Sequence, residues 1–437
     1  MGTLMSPTES RTTAVTTDPS KPPKRIFYGW WILLASVGSS TLNSTFYMIG
    51  MGTFFLPVAE SFNTSKTALS GAFSLARLES GLLGPVQGFL VDRLGSRTVM
   101  LVGVTMMGAG FILISLAPSL LFFYIFFVLF IALGQSFGLG PPVTATVINW
   151  FVKYRARALA LTLSGSAIGG LLVPVLAWSI RAYGWEKAAF VSGLIIWAVG
   201  YPIALTMRYR PEDHGFHPDD RAPEETAGGV GSALEEEPYF TPKEALRTVA
   251  FWIMGLAFGL RMLSSAGVPI HLVAYFEEDV GFSSAKAALF LGLIGTAGLG
   301  GRLVFGVLGD ALTKRYVLFG AIVIQAVSLP ILAMVDGTWM AVLFLLLFAT
   351  GHAGGAPAML ASRGEYFGRR FYATIAGFMA TLMLMGTVAG PLAAAVLSDR
   401  FDNGYQITWY LYGGLSGVSA VLLLLLRPPT PKARRSQ

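Results

Sequence analysis

Apolar segments long enough to cross a bilayer recur along this 437-residue chain, and they exclude most other kinds of fold. A hydrocarbon core about 30 Å thick is crossed by roughly 20 apolar residues in an α-helix. Since 54% of the residues are hydrophobic and 13% are charged, no water-soluble domain fits this composition. The sequence therefore predicts an all-α polytopic membrane protein with twelve transmembrane helices. Their predicted ranges, from helix 1 to helix 12, are 27–58, 66–91, 98–116, 119–150, 158–180, 188–207, 249–276, 285–309, 316–334, 338–364, 372–398 and 405–426.

Lysine and arginine are distributed unevenly between the two sides of the predicted membrane. The two tails, the central linker and the loops after helices 2, 4, 8 and 10 hold 22 of the 31, whereas the opposite loops hold five. Because loops rich in positive charge stay in the cytoplasm, both termini are predicted to be cytoplasmic. The formal net charge of +7 thus reflects topology in the inner membrane, and we expect no nucleic acid partner.

Polar segments divide the chain into two bundles of six helices. Residues 1–26 are rich in Ser, Thr and Pro and lack the apolar core of a signal peptide, so they predict a disordered cytoplasmic tail. Residues 208–247 predict a cytoplasmic linker between bundles at 27–207 and 248–427, and residues 428–437 predict a second tail.

The sequence favours no metal, nucleotide or thiol chemistry. The chain contains no cysteine. His214 and His217 lie among aspartates in the linker, where a solvated loop is a better interpretation than a metal site. The glycine-rich segment 351–357 has no preceding strand and no P-loop lysine, which argues against nucleotide binding. We therefore expect no cofactor.

The two halves of the chain repeat each other at a nearly constant spacing. Asp92 and Asp310 end equivalent helices. Gly386 is the counterpart of Gly169, at almost the same separation along the chain. A duplicated six-helix unit predicts two pseudo-symmetric bundles. This is the plan of secondary transporters, which hold substrate between the halves and move one half against the other, although some channels also contain repeats.

Arg302 lies inside the apolar run of helix 8 and is the first candidate for a functional residue. A charge near mid-bilayer costs roughly 2.5 to 3.5 kcal/mol, so such residues usually face a cavity. Arg302 lies eight residues before Asp310 at the membrane edge, which is about 12 Å at helical rise. Its side chain is therefore too deep to reach the membrane surface easily. The equivalent position in the first half, at the spacing that relates Asp92 to Asp310, is Gly84, so only one half carries this charge, as we expect of a substrate ligand. Its planar fork of donors matches a carboxylate, and a structural tie between helices is the alternative.

Two loop segments resemble the signature loop of the major facilitator superfamily. GFLVDRLGSR, at 88–97, resembles the loop between helices 2 and 3 of that superfamily, and GVLGDALTKR, at 306–315, is its second copy. The glycines let two helices close tightly, while the aspartate caps or pairs with neighbouring positive charges and locks one access state. The gating residues that this resemblance implies are Asp92, Arg93, Arg97 and Asp310.

A narrower resemblance, to the monocarboxylate transporters and the oxalate/formate exchangers, rests on two short stretches. WFVKYRARALALTLSGSAIGG, at 150–170, is similar to the aromatic, basic and then small-residue signature that begins helix 5 in monocarboxylate transporters. Arg302, with Asp310 eight residues later, is similar to the helix 8 arginine that contacts the carboxylate in both groups. The resemblance therefore implies that Arg302 binds a carboxylate.

The chain departs from both groups at positions that couple transport to ions. An apolar stretch around Ile49 stands where the animal carriers have a helix 1 lysine, and Gly298 stands where they have an aspartate. Residues 372–398 contain no charge, so the helix 11 lysine of the oxalate exchangers is also absent. The coupling chemistry of these groups does not carry over, and a monovalent anion is favoured over a divalent one.

Four more residues are candidates for the substrate and proton sites. In the superfamily helices 1, 4, 7 and 10 line the central cavity, which implies that Asn43, Arg261 and His352 lie near substrate. Arg261 is either a second anion ligand or part of an internal ion pair with Glu79. His352 donates to a carboxylate, carries a proton, or is simply hydrogen-bonded in the bundle. Glu79 is the proton-coupling candidate because burial disfavours its charge, and permanent pairing with Arg77 or Arg261 is the alternative.

These observations together predict a secondary active transporter in the lipid bilayer. It is expected to move a small organic anion, a monocarboxylate before others, by alternating access, with proton symport and a monomeric transport unit. Because transport changes no covalent bond, no enzymatic activity is expected. Two alternatives stay open: an efflux carrier for hydrophobic compounds, which would tolerate loss of Arg302, and a receptor that binds an anion on the same fold without transporting it.

Overall fold

The computed structural model describes residues 27–64, 71, 75–76, 78–220 and 239–430, and all regular secondary structure within them is helical. Ten of the described helices are individually long and apolar enough to cross a membrane. An interrupted helix 1 and a helix 2 described mainly at its end complete the twelve predicted helices. Their bounds are Gly29–Asn43, Ser44–Met48 and Met51–Ser61 for helix 1, Gly84–Leu94 for helix 2, Ser96–Ser115 for helix 3, Leu120–Trp150 for helix 4, Arg155–Tyr183 for helix 5, Trp185–Thr206 for helix 6, Val249–Glu278 for helix 7, Ser284–Ala311 for helix 8, Lys314–Ala333 for helix 9, Thr338–Phe367 for helix 10, Tyr372–Arg400 for helix 11 and Gly404–Leu424 for helix 12.

Helices 1 and 4 are both interrupted inside the membrane. In helix 1, Ser44–Met48 forms a π-helical turn between two α-helical pieces. In helix 4, a π-helical stretch at Phe127–Ala132 precedes a break at residues 139–140, after which Pro141 begins a new helical piece. The glycines and prolines of 138–142 allow the break in helix 4 to be predicted from the sequence, whereas no such signal marks the π-turn of helix 1. Interrupted helices are tolerated in a bilayer where they line a cavity or are buried in protein.

The helices form the two predicted bundles of six. In the N-terminal bundle helix 3 packs on helix 6 and helix 1 packs on helix 5. In the C-terminal bundle helix 7 packs on helix 11, and helix 10 packs on helices 8 and 9. The bundles meet mainly where helix 2 lies against helix 11 and where helix 5 lies against helix 8. The prediction of two pseudo-symmetric six-helix bundles is confirmed.

Small residues bring the two bundles together backbone to backbone. A Cβ atom built on Gly84 would lie 2.8 Å from the carbonyl oxygen of Gly377, and one built on Gly88 would lie 2.1 Å from that of Ala373. At the other interface, a Cβ atom on Gly309 would lie 2.7 Å from the Cβ atom of Ala156. Larger side chains at these positions would force the helices apart, because close approach in lipid depends on small residues.

The described part of the central linker is folded against the ends of both bundles. Asp219 Oδ2 accepts hydrogen bonds from the backbone amides of Val152 and Lys153, at 3.0 and 2.7 Å, in the loop after helix 4. On the other side of the gap, the amide of Phe240 donates to the carbonyl oxygen of Phe367 at 3.0 Å. A short helix, Pro242–Leu246, then begins with a capping box. The linker therefore adds to the contacts on the predicted cytoplasmic side.

Candidate functional site

Arg302 extends from helix 8 of the C-terminal bundle to helix 5 of the N-terminal bundle. Its Nη1 donates to the carbonyl oxygen of Leu163 at 3.0 Å and to Ser166 Oγ at 2.8 Å. Its buried Nε has no hydrogen-bond partner, and none of the described carboxylates forms an ion pair with it. Arg302 is therefore a half-buried cation that joins the two bundles through one nitrogen and keeps an unneutralised charge.

The same turn of helix 5 also holds the interrupted part of helix 1. Ser44 Oγ donates to the carbonyl oxygen of Ser166 at 2.9 Å, and Thr45 Oγ1 donates to that of Gly169 at 3.2 Å. Asn43 immediately precedes these residues, and its buried Oδ1 accepts no hydrogen bond. Ser166 thus links helix 8 to the segment of helix 1 that carries an unsatisfied amide.

Arg261 is buried inside the C-terminal bundle, with 1% of its surface exposed. Its Nε donates to Gln325 Oε1 on helix 9 at 3.0 Å, and its Nη2 donates to the carbonyl oxygen of His352 on helix 10. Nη1 lies 3.8 Å from the sulfur of Met359. Its partners are thus neutral groups, with no contact to Glu79.

A chain of hydrogen bonds leads from Arg261 through Gln325 and Ser265 to the imidazole of His352. Since the guanidinium fixes Oε1 of Gln325 as the acceptor, the amide nitrogen faces helix 7 and donates to Ser265 Oγ at 3.2 Å. Ser265 then has its own proton free to donate to Nδ1 of His352, 3.1 Å away. A neutral His352 with an occupied Nδ1 carries its proton on Nε2. In the tautomer that accepts from Ser265 at Nδ1, His352 presents Nε2–H as a donor.

The imidazole of His352 is also oriented by stacking and by nearby positive charge. Its ring stacks on Phe348 with centroids 5.4 Å apart and planes within 2° of parallel. The charges of Arg261 and Arg302 both act on His352. Helices 8 and 10 approach closely around it, since a Cβ atom on Gly298 would lie 2.7 Å from that of Ala353. Two cations and a histidine donor therefore lie in one region of the C-terminal bundle.

Glu79, in the helical residues 78–82 that precede Gly84–Leu94 in helix 2, has an incompletely satisfied carboxylate. Oε1 accepts a hydrogen bond from Gln87 Nε2 at 3.3 Å, and the buried Oε2 has no partner. Arg77, one of its two proposed partners, lies outside the described residues. The side chain is half-buried in the N-terminal bundle.

Asp92 joins the end of helix 2 to the beginning of helix 11. Its Oδ2 accepts hydrogen bonds from the amide and the hydroxyl group of Thr374, at 2.8 and 2.6 Å, and Oδ1 accepts from the amide of Ala373 at 3.3 Å. Tyr209 donates to the same carboxylate at 2.6 Å. Burial and the negative charge of Asp92 raise the pKa of the Tyr209 hydroxyl well above its usual value, so it stays a donor. Asp92 thus caps a helix of the opposite bundle.

Asp310 makes the equivalent contact in the second half. Its two oxygens accept hydrogen bonds from the amides of Ala156 and Arg157 at the beginning of helix 5, at 2.8 and 3.1 Å, and it forms an ion pair with Arg157. Arg93 and Arg97 are exposed and form no ion pair with Asp92; Arg93 lies over the ring of Phe89. The two aspartates therefore cap opposite bundles in a pseudo-symmetric manner.

Between the described residues of the two bundles, hydrogen bonds are found in one half of the membrane depth. Among the described residues, the cross-bundle hydrogen bonds nearest the predicted outer side come from Arg302 and from Thr381, which donates to the carbonyl oxygen of Gly81 at 2.8 Å. All others lie closer to the loops after helices 2, 4, 8 and 10, as in the bond from Arg369 to the carbonyl oxygen of Asn149. The described bundles are thus joined on the predicted cytoplasmic side.

Several residues of this site were missed from sequence. The missed residues are neutral polar ones within apolar helices, namely Ser166, Ser265 and Gln325. Such residues give a weaker signal than a charge does, because a charge costs more in lipid. A lone glutamine at the centre of helix 9 is the signal that could have indicated an internal partner, because an unpaired amide in lipid is costly. The partner itself, Arg261, is 64 residues away in the chain.

Comparison with known proteins places the chain among membrane transporters. The sequence profile of the Major Facilitator Superfamily matches residues 32–315 and 301–437. Monocarboxylate transporter 11 of Homo sapiens is 26% identical over 421 residues, which cover 92% of this chain and 83% of the relative. The oxalate:formate antiporter of Oxalobacter formigenes is 24% identical over 366 residues, covering 80% and 81%. The crystal structure of the human organic anion transporter MFSD10 matches with a TM-score of 0.65 at 18% identity, over 92% of this chain and 100% of that one.

Proposed function

The chain belongs to the major facilitator superfamily, and we propose that it carries a small organic anion, first of all a monocarboxylate, across the membrane by alternating access. The observation that carries this proposal is the unneutralised guanidinium of Arg302 between the bundles. An arginine without a carboxylate partner is costly in a membrane, and an anionic substrate supplies the missing charge. The relatives named for monocarboxylates and for oxalate and formate support the same class of substrate.

Arg302 would bind the carboxylate with its planar fork of donors. Nη1 is already directed by Leu163 and Ser166, while Nε has no partner to lose. A forked arginine–carboxylate contact is a strong, oriented hydrogen bond pair. Since the side chain links helix 8 to helix 5, a bound anion acts at the interface that must open and close.

His352 and Asn43 are proposed as additional ligands. The chain from Arg261 through Gln325 and Ser265 leaves Nε2–H of His352 free to donate to the second carboxylate oxygen. Asn43, whose Oδ1 has no partner, adds an acceptor on helix 1 for a hydroxyl group of the substrate. In this proposal Arg261 positions His352 and contributes charge, because its nitrogens are occupied by the protein.

Alternating access would be controlled by the contacts of Asp92 and Asp310. Both carboxylates cap a helix of the opposite bundle on the predicted cytoplasmic side, so the described conformation corresponds to an outward-facing state. Opening toward the cytoplasm requires that both caps break. Arg93 and Arg97 stay proposed members of this gate through their charge near the first cap.

Glu79 is proposed as the site of proton coupling. An ionised carboxylate needs donors at both oxygens, and Glu79 has one donor at Oε1 and none at the buried Oε2. Protonation of Glu79 removes the requirement for a donor at Oε2. Release of the proton restores that requirement when the site opens to water. Proton and anion would then move in the same direction.

Transport in proteoliposomes tests the proposed function. Uptake of labelled lactate, pyruvate and acetate is measured with and without an inward proton gradient for wild type, Arg302→Ala and Arg400→Gln. Arg400 is an exposed cation at the last residue of helix 11, and Arg400→Gln removes one positive charge as Arg302→Ala does. Uptake that is stimulated by the gradient, lost in Arg302→Ala and kept in Arg400→Gln is expected. Uptake that survives in Arg302→Ala would make Arg302 a scaffold residue, and no uptake by folded wild type would contradict small monocarboxylates.

A hydrophobic efflux carrier or a non-transporting receptor would use the same fold differently. A cavity of about 770 Å³ with an almost entirely apolar lining lies between helices 1, 5 and 6, with Lys187 at one end. All of its lining belongs to the N-terminal bundle, so movement of one bundle against the other does not open or close it. The cavity therefore gives little support to efflux, and binding without flux would identify a receptor.

A further inference from the structure

Arg363, on helix 10, is a buried cation that the anion site described above does not use. It is 5% exposed, and its Nε is buried without a hydrogen-bond partner. Its Nη2 lies 3.1 Å from the sulfur of Met383, a weak acceptor, and its Cζ lies 5.6 Å from the ring centre of Phe258. None of the described carboxylates forms an ion pair with it. Its charge is therefore surrounded by groups that do not neutralise it.

Helical geometry places Arg363 directly below the proposed anion site. His352 and Arg363 are eleven residues apart, which is close to three full turns, so they lie on nearly the same face of helix 10. Met359, between them on that face, contacts Arg261. Helix 10 runs toward the predicted cytoplasmic side and ends at Phe367, one turn beyond Arg363. Arg363 thus lies between the anion site and the closed gate.

A second cation approaches the same place from the opposite bundle. Arg155, at the beginning of helix 5, is 3% exposed, and its Cζ would lie 3.6 Å from a Cβ atom built on Gly364. Both Arg155 and Arg363 act electrostatically on Tyr372 at the beginning of helix 11. One buried arginine of each bundle therefore lies near Tyr372, and the positive field of both favours an anion there.

The repeat shows that this charge, like that of Arg302, belongs to one half only. Trp150-Phe151 and Tyr366-Phe367 end equivalent helices, and the spacing between these two pairs also relates Arg363 to Val147. Val147 is fully buried and apolar. A scaffold function shared by the two bundles would not need arginine in one of them.

We propose that Arg363 is a second anion-binding residue, which receives the carboxylate from the Arg302 and His352 region when the cytoplasmic gate opens. In the closed state Met383 and Phe258 cover its guanidinium without neutralising it. Opening of the gate exposes the forked donors to the anion on its way to the cytoplasm, with Arg155 on the other side of the path. This proposal rests on the proposed function.

Half-saturation concentrations measured from each side of the membrane test this proposal. Right-side-out and inside-out vesicles are prepared from cells that make wild type, Arg363→Met, Arg363→Lys, Arg302→Lys or Arg400→Gln. The probe is whichever of labelled lactate, pyruvate and acetate wild type carries fastest. For Arg363→Met we expect the ratio of the internal to the external half-saturation concentration to rise about tenfold or more. At zero gradient the ratio of maximal rates must change by the same factor, which provides an internal check.

The other variants separate this result from its alternatives. Arg302→Lys should raise both concentrations, and Arg400→Gln should change neither. Arg363→Lys keeps the positive charge without the forked donors, so we expect a smaller rise in the ratio of internal to external half-saturation concentration. If Arg363→Met does not fold, Arg363→Lys is used for the test. An unchanged ratio in a folded variant that still transports would overturn the role of Arg363 alone. If wild type carries none of the three acids, the proposed function and this inference both fail.

Discussion

Replacement of Gln325 by glutamate should impair anion transport, although the side chain keeps its size and contacts no substrate. Gln325 accepts a hydrogen bond from Arg261 Nε and donates to Ser265, which directs the proton of Ser265 toward His352. A carboxylate keeps the acceptor for Arg261 and loses the donor for Ser265. The Ser265 proton then turns toward the carboxylate, and His352 must place its own proton on Nδ1 to keep its bond. Nε2 becomes an acceptor, which repels an anionic substrate.

The size of this effect follows from the donor that is lost. A hydrogen bond to a charged group contributes about 1.5 to 3 kcal/mol, so its loss should raise the half-saturation concentration by roughly 10- to 150-fold. The introduced carboxylate also neutralises the charge of Arg261, which acts in the same direction. The fold should not suffer, because the new acid pairs with a buried cation that has no carboxylate now. We therefore expect weaker transport with unchanged or higher thermal stability.

Two measurements check the reasoning. Uptake of the carried acid by proteoliposomes gives the half-saturation concentration, and nitrogen-15 solid-state NMR gives the protonated ring nitrogen of His352, one of four histidines in the chain. Ser264→Ala is the control, since it removes the other hydroxyl group bonded to Gln325 and leaves the Ser265 bond intact. The proposed direction of the hydrogen bonds would be refuted if Gln325→Glu had the same half-saturation concentration as wild type while His352→Ala impaired transport. A deprotonated Nε2 in neutral wild-type His352 would refute it as well.

Three further changes test the gate and the coupling. Gly88→Val places side-chain atoms against the carbonyl of Ala373 and should open the predicted cytoplasmic side. Because the chain has no native cysteine, Ile148→Cys can report this opening, and it should react faster with a maleimide when Gly88→Val is also present. Equal labelling rates with and without Gly88→Val would contradict the tight closure. Asp310→Asn weakens a charged cap on two amides of helix 5 and should destabilise the closed state by about 1.5 to 3 kcal/mol. The labelling rate of Ile148→Cys should then rise tenfold or more. An unchanged rate would show that the cap does not hold the gate. Glu79→Gln should retain exchange of the acid across the membrane and lose its stimulation by an inward proton gradient; stimulation that persists would place the coupling at another residue.

The fold was predictable because its signals are long and repeated. Apolar runs give the twelve helices, and the regular spacing of equivalent residues such as Asp92 and Asp310 gives the two bundles. From the sequence, each aspartate was expected either to cap a helix or to pair with nearby cations. The caps were found, and they act between the bundles, on helices 11 and 5. A spacing along the chain cannot show that contact, because it depends on how two separate bundles meet.

The partners of the buried charges were not predictable, for a different physical reason. Arg261 was expected either at the substrate or paired with Glu79, and its partners instead lie on helices 9 and 10, among them Gln325 and the carbonyl of His352. In a soluble helix the apolar face identifies the side that packs on the core. In a membrane both the lipid-facing and the buried faces are apolar, so the sequence does not show which way a polar side chain points.

The difference between the two bundle interfaces bears on how an anion drives transport. At the interface of helices 2 and 11, Gly84 lies directly on Gly377, whereas at the equivalent interface of helices 5 and 8 the matching residue, Arg302, holds Ser166. A ligand shifts a conformational equilibrium only through its different affinities for the two states. A carboxylate bound to Arg302 neutralises the charge that holds Ser166 and the carbonyl of Leu163. This weakens a contact that holds the bundles in the closed arrangement, so the anion itself would weaken the gate at the interface that contains the arginine.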